Sequence, residues 1–361
     1  METGIDFVDY LEADVTSNVL AFLNDPLDLL RASSVSRNWR RSVVANGFCK
    51  NLWVRKVPQV ANIAYAVEES NGVMRLKPSD VLSVHPPAWE TLEKEHKIYT
   101  SLLQALTKPI IYPKDCISFP IGASSTDREV ENVTNTLIPV DRYPWGASYW
   151  SSKGHSDPNA PESILYRLNS NICIVSEIDI RPYKVFWEPG KPVYSAKSVR
   201  FRMGHPKCLK DWEIKVGPVP QPSADEYVWT YTSPEFPMSQ EYCLQPFKLP
   251  EPVVCVGGVV QVELFGRALR NEIDGLFYIC LAYIRVLGHP LEPAYNLEML
   301  PSGELQLRHY PHAMDHVLRG FSGEGSETTD NPHDEMEMMI RDFLPAQMIE
   351  EVLEWDELDD F

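Results

Sequence analysis

From residue 11 to 53 the apolar residues recur at helical spacing, with one break. Val15, Val19 and Leu23, with Leu20 and Phe22 beside them, give a first helix a wide apolar face. Asp25-Pro26 then stops and restarts the pattern. Asp25 can cap the next helix, Pro26 suits a first helical position where no amide hydrogen is needed, and Asp28 puts negative charge in the first turn. Leu29, Ala32, Val35 or Ser36, and Trp39 follow on one stripe, while Arg31, Arg37, Arg40 and Arg41 fan outward. The series closes on Leu52-Trp53. A module of fewer than about sixty residues shelters this much apolar surface poorly, so a partner surface is expected.

Further along, Trp89, Leu92, His96, Tyr99, Leu103 and Leu106 recur at gaps of three and four, which predicts one more helix ending at Lys108-Pro109. It is expected to dock on a neighbouring domain and act as a semi-rigid spacer. Over 113–288 the period changes to two. Ile174, Ile178 and Ile180 alternate with Val175, Glu177, Asp179 and Arg181; Val199, Phe201 and Met203 with Arg200 and Arg202; Trp212, Ile214 and Val216 with Glu213 and Lys215. Further runs lie at 164–168, 227–232, 259–265 and 278–287, separated by Pro, Gly, Asn and Asp. Half-buried strands with such punctuation and no long intervening helix predict an antiparallel β-sandwich.

The N-terminal pattern resembles an F-box, on Leu29-Leu30-Arg31, Val35-Ser36-Arg37, Trp39-Arg40 and the closing Leu52-Trp53. The resemblance implies a three-helix module that docks on the Skp-type adaptor of a cullin-based ubiquitin ligase, and a remainder that holds the cargo. The adaptor-binding residues it implies are Leu11, Val15, Val19, Leu23, Pro26, Leu29, Leu30, Val35, Ser36 and Trp39. Two positions depart from the family. Its Leu-Pro opening reads Leu11-Glu12, which places a carboxylate at a helix start, and its Val-Cys pair reads Val35-Ser36, a small-for-small exchange.

A second resemblance covers about half the chain. Ser148-Tyr149-Trp150-Ser151-Ser152-Lys153-Gly154, the segment ending Glu177-Ile178-Asp179-Ile180-Arg181-Pro182-Tyr183, and Gly258-Val259-Val260-Gln261-Val262-Glu263-Leu264-Phe265-Gly266-Arg267 are similar to galactose-binding-like jelly rolls, including discoidin- and Doc-type domains. Together the two resemble a plant-type F-box family with a discoidin-like C-terminal half. The expected fold is multidomain α+β: an F-box at 1–57, a helical linker at 58–112, a jelly-roll sandwich for target recognition at 113–290, and an acidic amphipathic tail at 291–361.

Composition narrows this reading. At 361 residues the chain exceeds what one core usually serves, and 44% hydrophobic content is that of a globular protein with no apolar run long enough to span a membrane. Residues 1–14 lack the basic-then-apolar pattern of a secretory signal, so an intracellular location, cytoplasm or nucleus, is expected. Seven cysteines without a close pair favour reduced thiols. A net charge of −18, concentrated beyond residue 330, opposes nucleic-acid binding. No catalytic motif and no cofactor motif is found, which agrees with the non-catalytic receptor that the F-box resemblance implies. His309, His312 and His316, with His205 and Cys208, are read as solvated loop residues instead of metal ligands.

Trp145, Tyr149 and Trp150 stand where the jelly-roll resemblance implies a ligand-binding rim. They read either as an aromatic platform or as core residues at a sheet end. The segment 334–361 carries Phe343, Leu344, Val352 and Trp355 among acids, and reads either as a latch on the sandwich or as a free arm. The function expected is the substrate-recognition subunit of a Skp-cullin-F-box ligase. The alternative is a lectin-like glycan- or phospholipid-binding protein whose F-box controls its own turnover.

Overall fold

The computed structural model describes residues 6, 8, 10–60, 63–69, 88–140, 146–208 and 224–322. The chain forms two compact units, one from 1–111 together with 291–322 and the other from 112–290. The first begins with four helices: α1 (Ala13–Ala21), α2 (Pro26–Val35), α3 (Arg37–Ala45) and α4 (Phe48–Lys56). The Asp25 carboxylate accepts the Leu27 amide at 2.8 Å, so the cap expected before Pro26 is in place. The expected three-helix module is divided once more, because Ser36 is extended and caps α3, accepting from the amides of Asn38 and Trp39 at 3.2 Å each. Gly47, at φ +60°, adopts the left-handed turn that separates α3 from α4.

The predicted spacer helix is α5 (Ala88–Thr107), and it is part of this unit's core. Its buried stripe is wider than the one predicted: Ile98, Leu102 and Ala105 are buried as well as His96, Tyr99 and Leu103. The extra face packs on a three-stranded sheet of β1 (Ile63–Glu68), β14 (Leu305–His309) and β13 (Tyr295–Met299), in the order β1-β14-β13. The Ser101 and Tyr295 hydroxyls bond across that interface. Residues 291–322, expected to belong to the acidic tail, thus return to the N-terminal unit. Tyr295, Leu297 and Met299 face the core with Leu305 and Leu307, and α6 (Met314–Ser322) buries Val317 and Phe321. The region 58–112 is correspondingly more than a linker, since β1 pairs in parallel with β14. The latch-or-arm segment 334–361 lies outside the described residues.

The second unit is the expected sandwich. One sheet runs β10 (Gln245–Val256), β6 (Ile172–Pro182), β12 (Cys280–Pro290), β2 (Lys114–Asp115), with β4 (Trp150–Ser151) on β12. The other runs β3 (Ile117–Ala123), β5 (Glu162–Leu168), β11 (Val259–Arg267), β7 (Ala196–Pro206), β8 (Tyr227–Thr232), with β9 (Phe236–Pro237) on β7. All pairings within them are antiparallel, and the chain crosses between sheets at almost every step, which is jelly-roll topology. Val199, Phe201 and Met203 fill the core as predicted. In β6 the alternation slips: Cys173 and Val175 face the core, then Ile178 and Ile180, while Ile174 turns to the other side. A register shift near Ser176 accounts for the switch, because one extra residue exchanges the two faces. The strand predicted around Trp212, Ile214 and Val216 lies outside the described residues.

One buried ion pair stitches the loops at one end of the sandwich. Arg267, 1% exposed at the end of β11, donates to Glu162, to the Ser152 hydroxyl at 2.9 Å, to the carbonyls of Lys153 and Phe277 at 2.8 Å each, and to that of Ala160 at 3.3 Å. Glu162 in turn accepts from the hydroxyls of Ser124 and Ser125. Four separate segments, 124–125, 152–153, 160–162 and Phe277, therefore meet at this one ion pair.

Two predictions follow from this packing. Arg267→Met should destabilise the chain by about 3–5 kcal/mol in urea unfolding, because it leaves a buried carboxylate without its cation, and adding Glu162→Met should recover part of that loss. Equal stability of the single variant and the parent would contradict it. In the first unit, burial holds the His96 and His309 imidazoles down to about 4, from an ordinary value of 6.5. Neither nitrogen of His309 has a hydrogen-bond partner among the described residues, and its ring stacks on Tyr295 at 4.9 Å. The unfolded chain takes up these protons below about 6.5 while the folded one resists until about 4, so stability is full above 6.5 and falls as pH drops through that window. His309→Phe should flatten the fall in the urea midpoint between those pH values; an unchanged slope would rule out this residue's contribution.

Candidate functional site

The expected adaptor-binding residues divide into two sets. Val15, Val19 and Val35 are exposed, joined by Phe22 at 82% and Leu27, which sequence reading placed elsewhere or passed over. Leu11, Leu23, Leu30, Ser36 and Trp39 are half-buried. Leu29 and Pro26 are corrected: both are buried, Leu29 to 1% exposure, since α2 turns them inward with Ala32 against α3 and α5. They hold the module together and cannot meet a partner unless it opens. A shallow groove beside Val35 is lined by Leu27, Leu30, Arg31, Ser34 and Gln104. Ser36, where the family has cysteine, donates to Asp6 Oδ2 at 2.5 Å, and Trp39 Nε1 donates to Asp6 Oδ1 at 3.0 Å. These hydrogen bonds, Ser36 foremost, hold the Asp6 carboxyl below its usual range.

The second site is a cavity of about 810 Å³ at one end of the sandwich. Its walls come from the loop after β3 (Asp127, Arg128, Val130, Glu131), the approach to β4 (146–149), the segment after β6 (Tyr183, Val185–Glu188), Tyr194 before β7, and the loop before β12 (Asn271, Ile273, Asp274, Tyr278). The Tyr149 and Tyr183 rings stack at 4.0 Å and 12°, and Trp187 leans on both at 5.8 and 6.0 Å. Phe186 meets Tyr183 edge-on. The result is one aromatic wall with a half-free indole at its edge.

Three tyrosines of this cavity each donate to a carboxylate that also lines it. Tyr149 bonds Glu131 at 2.8 Å, Tyr194 bonds Glu188 at 2.6 Å, and Tyr278 bonds Asp274 at 2.5 Å. Burial and the facing carboxylates push all three phenols above their ordinary range, so they remain protonated donors. The Tyr278 hydrogen bond, with the Leu276 amide behind it, holds Asp274 below the usual carboxylate range. Asp127 is the fourth carboxylate and Arg128 the single cation among the lining residues. Four carboxylates against one cation, three of them accepting from neutral phenols, give the cavity a surplus of negative charge, with Arg128 at 3.9 Å from Asp127 and 4.0 Å from Glu131.

Of the rim residues read from sequence, Tyr149 lines the cavity as a buried wall. Trp150 takes the core alternative and leaves the rim: it is 0% exposed between the sheets, its indole N–H donating to the Ser125 carbonyl at 3.1 Å. Trp145 lies outside the described residues. Sequence reading missed Tyr183, Trp187, Glu188 and Asp274. The available signal was the Tyr183-to-Trp187 cluster directly after a predicted strand end. His205 and His309 are also corrected, being buried within strands instead of solvated in loops, whereas His312, His316 and Cys208 are exposed. Among the described residues no cluster able to hold a metal is present.

Comparisons with known proteins bear unequally on these two units. No family model matches the chain. Among solved structures, a family 32 carbohydrate-binding module of Clostridium perfringens in complex with galactose is 12% identical, with 46% of this chain and 90% of that one covered at TM-score 0.29. A family 32 module from Streptococcus pneumoniae is likewise 12% identical, covering 48% and 98% at TM-score 0.32. At such scores the sandwich is read from its own strands alone. An F-box protein of Arabidopsis thaliana, by contrast, is 40% identical over 301 residues, 81% of this chain and 79% of the relative. That span is far too long to rest on the N-terminal helices alone, and the chain belongs to the F-box proteins.

Proposed function

We propose that this protein is a non-catalytic substrate-recognition subunit of a Skp-cullin-F-box ubiquitin ligase, gripping a Skp-type adaptor through its N-terminal helices and a target through the sandwich. The observation that carries the reading is the membership in the F-box family, joined to apolar side chains on and beside the first two helices that the described residues leave exposed. Val15, Val19, Phe22, Leu27 and Val35 are exposed although Leu20, Leu29, Val43, Val44, Leu52 and Trp53 of the same helices are buried. Apolar side chains in that number on so small a surface favour burial by a partner, at about 25 cal/mol per Å² of area removed from water. The sandwich supplies a separate cavity with convergent polar groups, the ordinary form of a ligand site. Cytoplasm or nucleus is the compartment in which such a ligase component would act.

Exposed positions provide the test. Phe22→Asp and Val35→Asp should each abolish copurification of the Skp-type adaptor while leaving the unfolding midpoint within about 0.5 kcal/mol of the parent. Leu29→Asp is expected to unfold the helices and so does not discriminate. Undiminished adaptor binding by the Phe22→Asp, Val35→Asp double variant would overturn the proposal.

A further inference from the structure

We infer that the cavity of the sandwich takes the positively charged side chain, lysine or arginine, of a target polypeptide whose apolar neighbours rest on Val130, Trp187 and Ile273. The inference deepens the receptor reading above and rests on it for the word target. Its first ground is charge. Four carboxylates line the cavity against one cation; Arg128 lies 3.9 Å from Asp127 and 4.0 Å from Glu131, which leaves Glu188 and Asp274 with no cationic partner among the lining residues, and Arg270, on one of the same loops, donates to the Gly275 carbonyl at 2.6 Å instead of lining the cavity. A recessed surface of one sign with low-dielectric walls focuses its field outward and favours an entering cation.

The second ground is the rings. Tyr149, Tyr183 and Trp187 present an aromatic wall beside those acids, and a cation over an aromatic face gains from the ring's quadrupole, more so when partly desolvated. The third is the lip. Val130, Trp187 and Ile273 are 61%, 62% and 84% exposed, among the most exposed large apolar residues described, and all three belong to this one cavity. Single exposed apolar residues are ordinary; three around one opening form a rim for something larger than an amino acid. A cavity of about 810 Å³ has room for a side chain with adjoining backbone. A neutral sugar could lie on the rings and donate its hydroxyls to the carboxylates, but it brings no positive charge to offset them, so a basic peptide is the better fit.

The test uses the full chain and three peptide pools with randomised flanks around a fixed central lysine, norleucine or glutamate, with galactose as a fourth probe. The lysine pool should bind at least about tenfold tighter than the norleucine pool, and raising salt from about 0.05 to 0.5 M should shrink that advantage. Sequencing the bound peptides should return apolar residues beside the lysine. Trp187→Ala, an exposed position, should weaken lysine-pool binding without shifting the melting temperature, and Asp274→Asn should lower the lysine-over-norleucine preference. Equal binding of the lysine and norleucine pools, or galactose binding that Trp187→Ala removes with no preference for basic peptides, would overturn the inference. Adaptor copurification, measured on the same preparations, separates the two readings: its absence in the parent chain sinks the ligase role, and its persistence without a lysine preference sinks only the cavity assignment.

Discussion

The buried Arg267–Glu162 pair is the constraint on which the loop end of the sandwich depends. A guanidinium offers five N–H donors in a rigid plane, and here it meets Glu162, one serine hydroxyl and three backbone carbonyls drawn from separate loops. Taking both charges out of water costs several kcal/mol per ion, so such a pair earns little stability over a well-packed apolar substitute. What it fixes is position. The Ser152 hydroxyl that receives Arg267 also receives the Ile279 amide at 3.0 Å, and the Ser125 hydroxyl that donates to Glu162 accepts the Lys153 amide at 3.0 Å. The cavity residues Ser151, Tyr278 and Cys280 stand one position from those anchors. A site assembled from loops thus has its backbone held from behind by a network of nearly complete hydrogen bonding.

A different arrangement supports the N-terminal helices. Residues 291–322 return after the whole sandwich to supply β13, β14 and α6, so the unit carrying the F-box is completed only by chain from far beyond it. Parallel pairing of β1 with β14 needs a long crossover, and the sandwich is contained within that crossover. One consequence is that α5 is buried on two sides, against α2–α4 and against the sheet, which explains why Ile98, Leu102 and Leu103 are fully enclosed. The helices can then afford an apolar face turned to solvent, because their fold does not depend on covering it.

Local patterns were legible in the sequence to the extent that local chemistry decides them. The Asp25-Pro26 restart and the Val199, Phe201, Met203 alternation are matters of capping and period, and each stands as read; the α5 helix stands too, although its buried stripe is wider than read and leaves Trp89 exposed. The inward turn of Leu29 was not legible, since an apolar stripe states that a face is buried without stating against what. Strands β13 and β14 carried their signal openly, in Tyr295, Leu297, Met299 and Leu305, Leu307, His309. They were hidden by brevity and by the acidic stretch that follows. The slip in β6 leaves no trace in composition, because Ile174 and Val175 are equally apolar and only pairing with neighbours selects which faces the core. Cavity residues were the least legible: Glu131, Tyr183, Glu188 and Asp274 are scattered over about 140 positions, and only the closed sandwich collects them.

The three tyrosine–carboxylate pairs bear on how such a cavity can stay charged. Desolvating a carboxylate normally raises its proton affinity until it neutralises, and a wall of four would repel itself toward that end. At Asp274 the donating Tyr278 phenol works against this, holding the carboxyl below its usual range without supplying positive charge of its own. An arginine in the same place would also satisfy the carboxylate, as Arg128 does in part for Asp127 and Glu131 at 3.9 and 4.0 Å, but it would offset the field that the cavity presents. Tyrosine therefore keeps the hydrogen bond and the charge together, and orients each carboxylate before any ligand arrives. The stacked Tyr149–Tyr183 pair adds a reason for rigidity, since rotation of Tyr149 would lose both its ring contact and its bond to Glu131. A cation entering such a site meets groups already in place, so little ordering entropy opposes binding, and selectivity for charge is built into the walls before contact.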